Sequence, residues 1–172
     1  MKPQKQRIII LIAFISFLLG LFAAVLPHGK YLVFISNEDD ALSGYVKLQS
    51  NEFQVKYIHS IHLTEVIESL EVLPDASLMM TEVEYSDFAV GMPSNANEGE
   101  EFVQEDGKYF IRNMTTLLPE YRMFVGDIDE ALLLSVAGVD YDLKKTLSRG
   151  TSYTLSIKQL SFLQKIQGSE LK

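Results

Sequence analysis

The longest apolar run of the chain is Ile8–Leu26, IIILIAFISFLLGLFAAVL, which holds no charge and a single polar side chain, Ser16. A helix of this length is about 28 Å long, close to the hydrocarbon thickness of a bilayer. Lys2, Lys5 and Arg7 precede the run, and no acidic residue accompanies them. The positive-inside rule therefore places the N-terminus in the cytoplasm and the rest of the chain outside.

We therefore predict a single-pass protein of the cell membrane, held in the lipid bilayer through this run. Its parts are a cytoplasmic stub over residues 1–7, a transmembrane anchor over 8–26 and an extracytoplasmic domain over 27–172. Two other interpretations remain open. A cleaved signal peptide has a shorter apolar region and a small-x-small cleavage site, but Phe22 stands where cleavage after Ala24 needs a small residue. A buried core helix normally has a polar face, which this run lacks.

Beyond the anchor, short segments alternate between apolar and polar positions, as strands with one buried face do. Phe53, Val55 and Tyr57, for example, share one side of their segment. The predicted strands are Tyr31–Ser36, Tyr45–Gln49, Phe53–Ile58, Thr64–Leu73, Ser77–Tyr85, Lys108–Asn113, Tyr121–Val125, Leu132–Val136 and Ser152–Ile157. A helix also fits the fourth segment, but its β-branched residues favour a strand. The series predicts a mainly β fold, an antiparallel β-sandwich or an open barrel.

Two segments depart from the alternating pattern. Gly91–Asp106 is rich in Gly, Asn and Glu and is predicted to be a loop. Ser156–Gln167 has apolar residues at helical spacing, which predicts a short C-terminal amphipathic helix. Ser156 and Gln159 would form its capping box, and Gly168 would be its C-cap.

The amino-acid composition excludes several classes of function. The 172 residues contain 15 Lys and Arg against 23 Asp and Glu, a net charge of −8, which argues against a general nucleic-acid binder. Beyond the anchor, 12 Lys and Arg face all 23 acids, so the external part carries −11. The chain has no Cys, which excludes disulfides, iron–sulfur clusters, thiolate zinc sites and a Cys nucleophile. The mean hydropathy of +0.09 comes largely from the anchor.

The densest group of functional side chains surrounds Ser60. As an extracytoplasmic hydrolase, the chain would use Ser60 as nucleophile, His59 or His62 as base, and Glu65 or Glu68 as the acid that orients the base. Neighbouring residues of a strand point to opposite faces, which favours His62 over His59. The chain has no G-x-S-x-G motif, and the same residues equally suit ligand binding or the closing of a turn. We therefore expect a protein that is not an enzyme.

Metal ligation has weaker support. His59-x-x-His62 does not have the helical spacing of zinc proteases, and strand geometry does not bring such residues together. The acidic clusters Glu38–Asp40 and Glu98–Glu101 lack the order of a calcium-binding loop and suit solvated turns. We predict neither a metal nor a cofactor.

A family resemblance rests on four motifs. They are Y-x-H-S-I-x-x-T-x-V-x-E from Tyr57 to Glu68, E-x-x-Y-x-x-F-x-x-G-M-P from Glu82 to Pro93, D-G-x-Y-x-I from Asp106 to Ile111 and R-G-x-x-Y-x-L-x-I from Arg149 to Ile157. Over about residues 31–158 the chain resembles the bacterial and archaeal family called domain of unknown function 1850. The chain departs from the family at 88–91, where members more often have a Gly-Ala-Gly-type run.

The resemblance implies a small membrane-anchored extracytoplasmic protein, often encoded beside TRAP transporters of the TAXI type. The solute-binding proteins of those transporters capture small carboxylates such as glutamate. We therefore predict a non-enzymatic accessory or binding module for organic-anion transport, with transporter subunits or a small carboxylate as partner. Its site would bring together His59, Ser60, Thr64, Glu68, Gly91, Met92 and Pro93. Arg112 and Arg122 are the candidates for binding a carboxylate, since a guanidinium group binds a carboxylate bidentately. A structural module that binds no ligand is the remaining alternative.

Overall fold

The computed structural model describes residues 3–60, 63–86 and 95–172. The helices are α1 Pro3–Val25 and α2 Phe162–Gln167, with a 3₁₀ turn at Leu143–Lys145. The strands are β1 His28–Ser36, β2 Leu42–Lys47, β3 Glu52–Ile58, β4 Glu65–Val72, β5 Leu78–Tyr85, β6 Glu101–Glu105, β7 Lys108–Arg112, β8 Thr116–Leu118, β9 Tyr121–Val125, β10 Leu132–Val136, β11 Val139–Asp142, β12 Thr151–Leu160 and β13 Ser169–Glu170.

Within the described ranges the strands form two sheets. One has the order β13-β2-β1-β12-β9, and the other has the order β11-β10-β3-β4-β5-β7-β6, with β8 paired to β5. The described pairings are antiparallel except the short parallel contact between β13 and β2. Mostly neighbouring strands pair in the larger sheet, whereas β12 and β9 reach the smaller sheet from the far end of the chain.

The two sheets share one hydrophobic core. Phe34 of β1 and Leu155 of β12, in the smaller sheet, pack with Val55, Leu70 and Leu134 of the larger sheet, and all five are almost fully buried. Burying each such side chain contributes about 1.5–3 kcal/mol. The arrangement confirms the predicted mainly β fold, in its sandwich form, and all nine predicted strands are present.

The apolar N-terminal run forms α1, whose large side chains are mostly about half exposed or more. The window Arg7–Val25 is long and apolar enough to cross a membrane, and none of it is buried in the protein. α1 is therefore not a core helix of the β-domain, which leaves the anchor and the signal sequence among the interpretations above.

The structure corrects the predicted loop Gly91–Asp106. Residues 91–94 lie outside the described residues, but Glu101–Glu105 forms β6, which pairs with β7. Asp106 and Gly107 both have positive φ, 51° and 78°, as the two central residues of a tight hairpin turn do. The acid-rich composition suggested a loop because β6 is a partly exposed edge strand with little apolar patterning. The short strands β8, β11 and β13 were likewise not predicted.

The start of the C-terminal helix is also corrected. Ser156 pairs with Val33 inside β12, which extends to Leu160, so Ser156 and Gln159 do not cap a helix. The capping box is instead made by Ser161 and Gln164, and Gly168 is the C-cap as predicted. Strand pairing with β1 prevails over the helical spacing of the apolar residues because it satisfies the backbone of β12 from Tyr153 to Leu160.

Candidate functional site

A cavity of about 550 Å³ lies between the larger sheet and β9, at the edge of the smaller one. β3, β4, β5 and β10 supply one wall, and β8, β9 and the loop after β9 supply the other. Apolar side chains of the walls include Val55, Met80, Leu118, Met123 and Leu132. The cavity reaches buried core residues such as Val55 and Leu132 and is open to solvent, since exposed side chains such as Phe124 also line it.

Glu68 is the polar centre of this cavity. It lies on β4 in the inward-facing row of Val66 and Leu70, both buried. The Tyr57 hydroxyl donates to its Oε1 at 3.0 Å, and the Tyr121 hydroxyl donates to its Oε2 at 2.5 Å. Tyr57 is on β3 beside Glu68, whereas Tyr121 is on β9 of the other sheet. The carboxylate therefore joins the two sheets.

Both tyrosines are held as neutral donors. Burial is the main cause that raises the pKa of Tyr57 and of Tyr121 above the ordinary value of 10.0. The negative charge of Glu68 and the hydrogen bond to it raise both pKa values further. A tyrosinate next to this carboxylate would be repelled, so each hydroxyl keeps its proton and donates a hydrogen bond to Glu68.

The rim of the cavity carries charges of both signs. Arg122 Nε donates to Glu120 Oε2 at 2.7 Å, and the pair is largely exposed. Lys144 Nζ donates to the backbone oxygens of Ile128 at 2.6 Å and Glu130 at 2.5 Å, which ties down the loop between β9 and β10. The Lys144 ammonium is thus held at the rim by carbonyl groups.

His59 and Ser60 stand at the tip of the hairpin between β3 and β4, and both line the cavity. The backbone N–H of His59 donates to Thr64 O at 2.8 Å, and the N–H of Leu63 donates to His59 O at 2.9 Å. Leu63 has φ 53°, as a tight turn requires. The sequence between them includes His62, which lies outside the described residues.

Four of the residues proposed from the sequence therefore meet at one cavity: His59, Ser60, Glu68 and Arg122. Thr64 closes the same hairpin through its backbone oxygen but is not part of the cavity lining. Gly91, Met92 and Pro93 lie outside the described residues, so their place at a shared site stays a prediction.

Arg112 lies elsewhere, on β7. Its Nε donates to Glu82 at 3.1 Å, its NH2 group donates to Glu105 at 3.0 Å, and its guanidinium sits 4.6 Å from the centre of the Phe110 ring. These two acids engage the guanidinium and raise the pKa of Arg112, with Glu105 as the main cause. Arg112 is thus occupied in a surface network of the larger sheet and is not brought to the cavity.

The sequence analysis did not single out Tyr121 or Lys144, and it treated Tyr57 only as part of a motif. The sequence did indicate that Glu68 needs a hydrogen-bond donor such as Tyr121. Glu68 lies on the same side of its strand as Val66, Leu70 and Val72, and an acid in such a buried row needs a donor. Which donor meets it could not be read locally, because Tyr121 is 53 residues away along the chain.

The chemistry at the cavity is that of hydrogen bonding and charge. Both oxygens of Glu68 accept from tyrosine hydroxyls, and the nucleophile hypothesis for Ser60 depends in part on His62, outside the described residues. Within the described ranges no three His, Cys, Asp or Glu side chains are grouped to hold a metal ion. The acidic turns have backbone roles, since Asp39 accepts from Ala41 N and Glu100 accepts from Asn97 N.

These features define a small β-sandwich with a solvent-open cavity whose floor is a tyrosine-bound carboxylate. The family model called domain of unknown function, DUF1850, matches residues 53–143, more than half of the chain, and the chain therefore belongs to this family. The match runs from β3 through β11 and includes Tyr57, Glu68 and Tyr121. Comparison with curated proteins and comparison with solved structures both returned no match.

Proposed function

We propose that this protein is a membrane-anchored, extracytoplasmic binding module that takes a small organic molecule into the cavity. The observation that carries the proposal is the Glu68 carboxylate, which two tyrosine hydroxyls hold in a cavity with largely apolar walls. Polar groups of this kind in an apolar pocket fix the orientation of a ligand. The exposed helix α1, whose apolar run follows three basic residues, supports the anchor.

Glu68 determines which ligand group fits the floor. Each carboxylate oxygen has acceptor capacity for two hydrogen bonds. The described side chains supply one to each oxygen, from Tyr57 and Tyr121. The remaining capacity suits a ligand that donates, through an amino or a hydroxyl group. A carboxylate group at this position would be repelled.

The rim favours the opposite charge. Lys144 presents an ammonium held by carbonyls, and Arg122 extends beside it with Glu120 as its partner. An anionic group of the ligand would bind there, while its apolar body packs against the walls. A cavity of about 550 Å³ is in the size range of small-molecule sites. The ligand class is therefore a small carboxylic acid that also carries an amino or hydroxyl group.

An accessory role beside a TRAP-type transporter is the further part of the proposal. The family resemblance of the four motifs supports it, since related proteins are often encoded beside such transporters. A module that binds amino or hydroxy acids at the outer face of the membrane would share its ligand class with a transporter of small carboxylates. Transporter subunits are the partners to test once the ligand is known.

The test uses the full-length protein in detergent micelles and four ligands with the same isobutyl side chain: leucine, α-hydroxyisocaproate, isocaproate and isoamylamine. Ligands that bind the folded state raise its thermal stability. We expect the first two to bind, and the last two, which each lack one of the two groups, to bind at least about tenfold more weakly. Binding of all four with equal affinity, or of none, would contradict the proposed ligand class.

The variant Glu68→Gln keeps the size of the side chain but removes its charge. We expect it to lose at least about tenfold in affinity for leucine, because a bond to a charged acceptor is lost. Glu84→Gln is the matched control, since Glu84 is on β5 and binds Lys108 away from the cavity. Covalent labelling of the wild type, but not Ser60→Ala, by a serine-directed probe would instead establish the hydrolase.

A further inference from the structure

The C-terminal helix α2 carries three large apolar side chains, and all of them are exposed. Phe162 is 55% exposed, Leu163 49% and Ile166 66%. The other large apolar residues of the described β-domain that are exposed, such as Val139 and Ile128, stand apart on separate strands or in loops. A cluster of this kind on one short helix is unusual on a soluble surface and indicates an apolar contact partner.

α2 lies where α1 meets the β-domain. β1 begins at His28, three residues after the end of α1, and His28 pairs with Leu160, two residues before α2 begins. α2 also contacts α1 directly. The exposed apolar face of α2 is therefore continuous with the apolar surface of α1 at the C-terminal end of α1.

Lysines surround the same position. Lys47 of β2 and Lys158 of β12 both pair opposite Tyr31 of β1, so all three side chains lie on one face of the smaller sheet. Lys165 of α2 donates to the Tyr31 hydroxyl at 3.3 Å, and its Nζ is 5.4 Å from the ring centre. Glu170 is the acid that lies close to this group. An external part with a net charge of −11 thus has a basic patch beside α1.

We propose that α2 lies in the surface of the bilayer as a second membrane contact, with its apolar side chains in the acyl boundary and these lysines at anionic headgroups. Apolar area and basic residues together determine the strength of such interfacial helices. The inference rests on the membrane anchor of the proposed function. It adds that the domain is held in a fixed orientation and does not swivel on α1.

This orientation of the domain places the cavity at the end away from the membrane. Leu160 marks the membrane end of β12, and Thr151 marks the other end, about 30 Å away for an extended strand. Thr151 pairs with Val125 of β9. The loop after Val125, which lines the cavity, is therefore placed away from the lipid and remains open to solutes.

The chain has no Cys, so one introduced Cys is a unique labelling site. The full-length protein is reconstituted in vesicles of phosphatidylcholine and phosphatidylglycerol with an environment-sensitive fluorophore at Ile166→Cys. Val139→Cys, on the larger sheet, is the exposed control, and Phe14→Cys reports on α1. We expect lipids with a quencher near the headgroup to reduce emission at Ile166 by about half and to leave Val139 unchanged. Lipids with a quencher deep in the acyl chain should reduce emission at Phe14.

The three sites separate the two proposals. Quenching at Phe14 without quenching at Ile166 would overturn the membrane contact of α2 and leave the anchor intact. Failure to quench Phe14 would overturn the anchor, and the contact of α2 with it. Quenching at Ile166 and Val139 alike would also overturn the inference, since a domain that lies anywhere on the lipid has no specific second contact.

The basic patch has its own test. In the wild type, quenching at Ile166 should increase with the fraction of anionic lipid, and the double variant Lys158→Gln with Lys165→Gln should lose this dependence. Lys56→Gln is the matched control, because Lys56 pairs with Asp140 on the larger sheet. Equal quenching of the wild type in neutral and anionic vesicles would overturn the role of the lysines.

Discussion

The interior of the sandwich has a closed half and an open half, and the same strands build both. β4 contributes Leu70 and Val72 to the closed half, where they are almost fully buried, and Glu68 to the open half. β3 likewise contributes Phe53 to the closed half and, further along, Tyr57 to the open half. One acid in an otherwise apolar row separates the half that stabilises the fold from the half that is available for recognition.

Two tyrosines of the smaller sheet show the same division. The Tyr153 hydroxyl accepts from Ser148 N at 2.9 Å and donates to Ser148 O, so it fastens a loop backbone of the same sheet. The Tyr121 hydroxyl donates to Glu68 across the two sheets. A backbone partner fixes a structure, whereas a carboxylate partner with remaining acceptor capacity can also take a ligand.

The strongest test of this comparison is truncation in each half. Leu134→Ala, in the closed half, should lower the free energy of unfolding by about 3–4 kcal/mol, because Leu134 is fully buried and leaves a cavity. Met123→Ala, in the open half, should lower it by about 1 kcal/mol, because Met123 already borders empty space. Urea unfolding of the full-length protein in detergent, followed by tyrosine fluorescence, measures both.

Equal losses for these two variants would mean that the open half is packed as tightly as the closed half. Binding of leucine adds a second readout. Met123→Ala should change its affinity, and Leu134→Ala should change only stability at temperatures where the protein remains folded.

The next largest effect is expected at high pH. The pKa values of Tyr57 and Tyr121 are raised in the folded protein above 10.0, so the unfolded chain releases these protons first as the pH rises. Their contribution to stability is therefore fully present below about pH 10 and is lost above it, at up to about 1.4 kcal/mol per pH unit for each group. Tyr121→Phe should lose stability less steeply than the wild type between about pH 10 and pH 12.

Met123→Ala serves as control in this series, since it removes no titrating group and should have the same slope as the wild type. The midpoint of urea unfolding as a function of pH gives the slopes. If Tyr121→Phe and the wild type had parallel curves, Tyr121 would not be held neutral by burial and by Glu68.

Most of the fold was predictable because strand patterning is local. Local strand patterning located Tyr121–Val125 and Leu132–Val136 at the ends that the structure gives them. It failed for β6, whose residues are half exposed at a sheet edge and carry little apolar signal. It also failed at Ser156, where periodic apolar residues that suggested a helix instead pair with β1.

The candidate site was predictable only in part. His59, Ser60 and Glu68 are neighbours in sequence on one hairpin, so a motif could group them. Tyr121 and Lys144 reach the cavity through the topology of the two sheets, which alternation within a segment does not encode. The pairing of β9 with β12, and the loop after β9, bring them to the carboxylate.

The smallest effects are expected from substitutions of Arg112 and Arg122, which test whether a charge contributes to binding only when it lies at the open half. Arg112→Ala removes two ion pairs at a partly exposed position and should lower Tm by at most about 2 °C, with no change in leucine affinity. Arg122→Ala should leave Tm unchanged, because its pair with Glu120 is exposed, but should weaken leucine binding about threefold or more. The two strand arginines would then differ in their effect on leucine affinity because only Arg122 lies at the open half. A loss of affinity in Arg112→Ala that equals the loss in Arg122→Ala would show that the carboxylate of the ligand is not held at the rim.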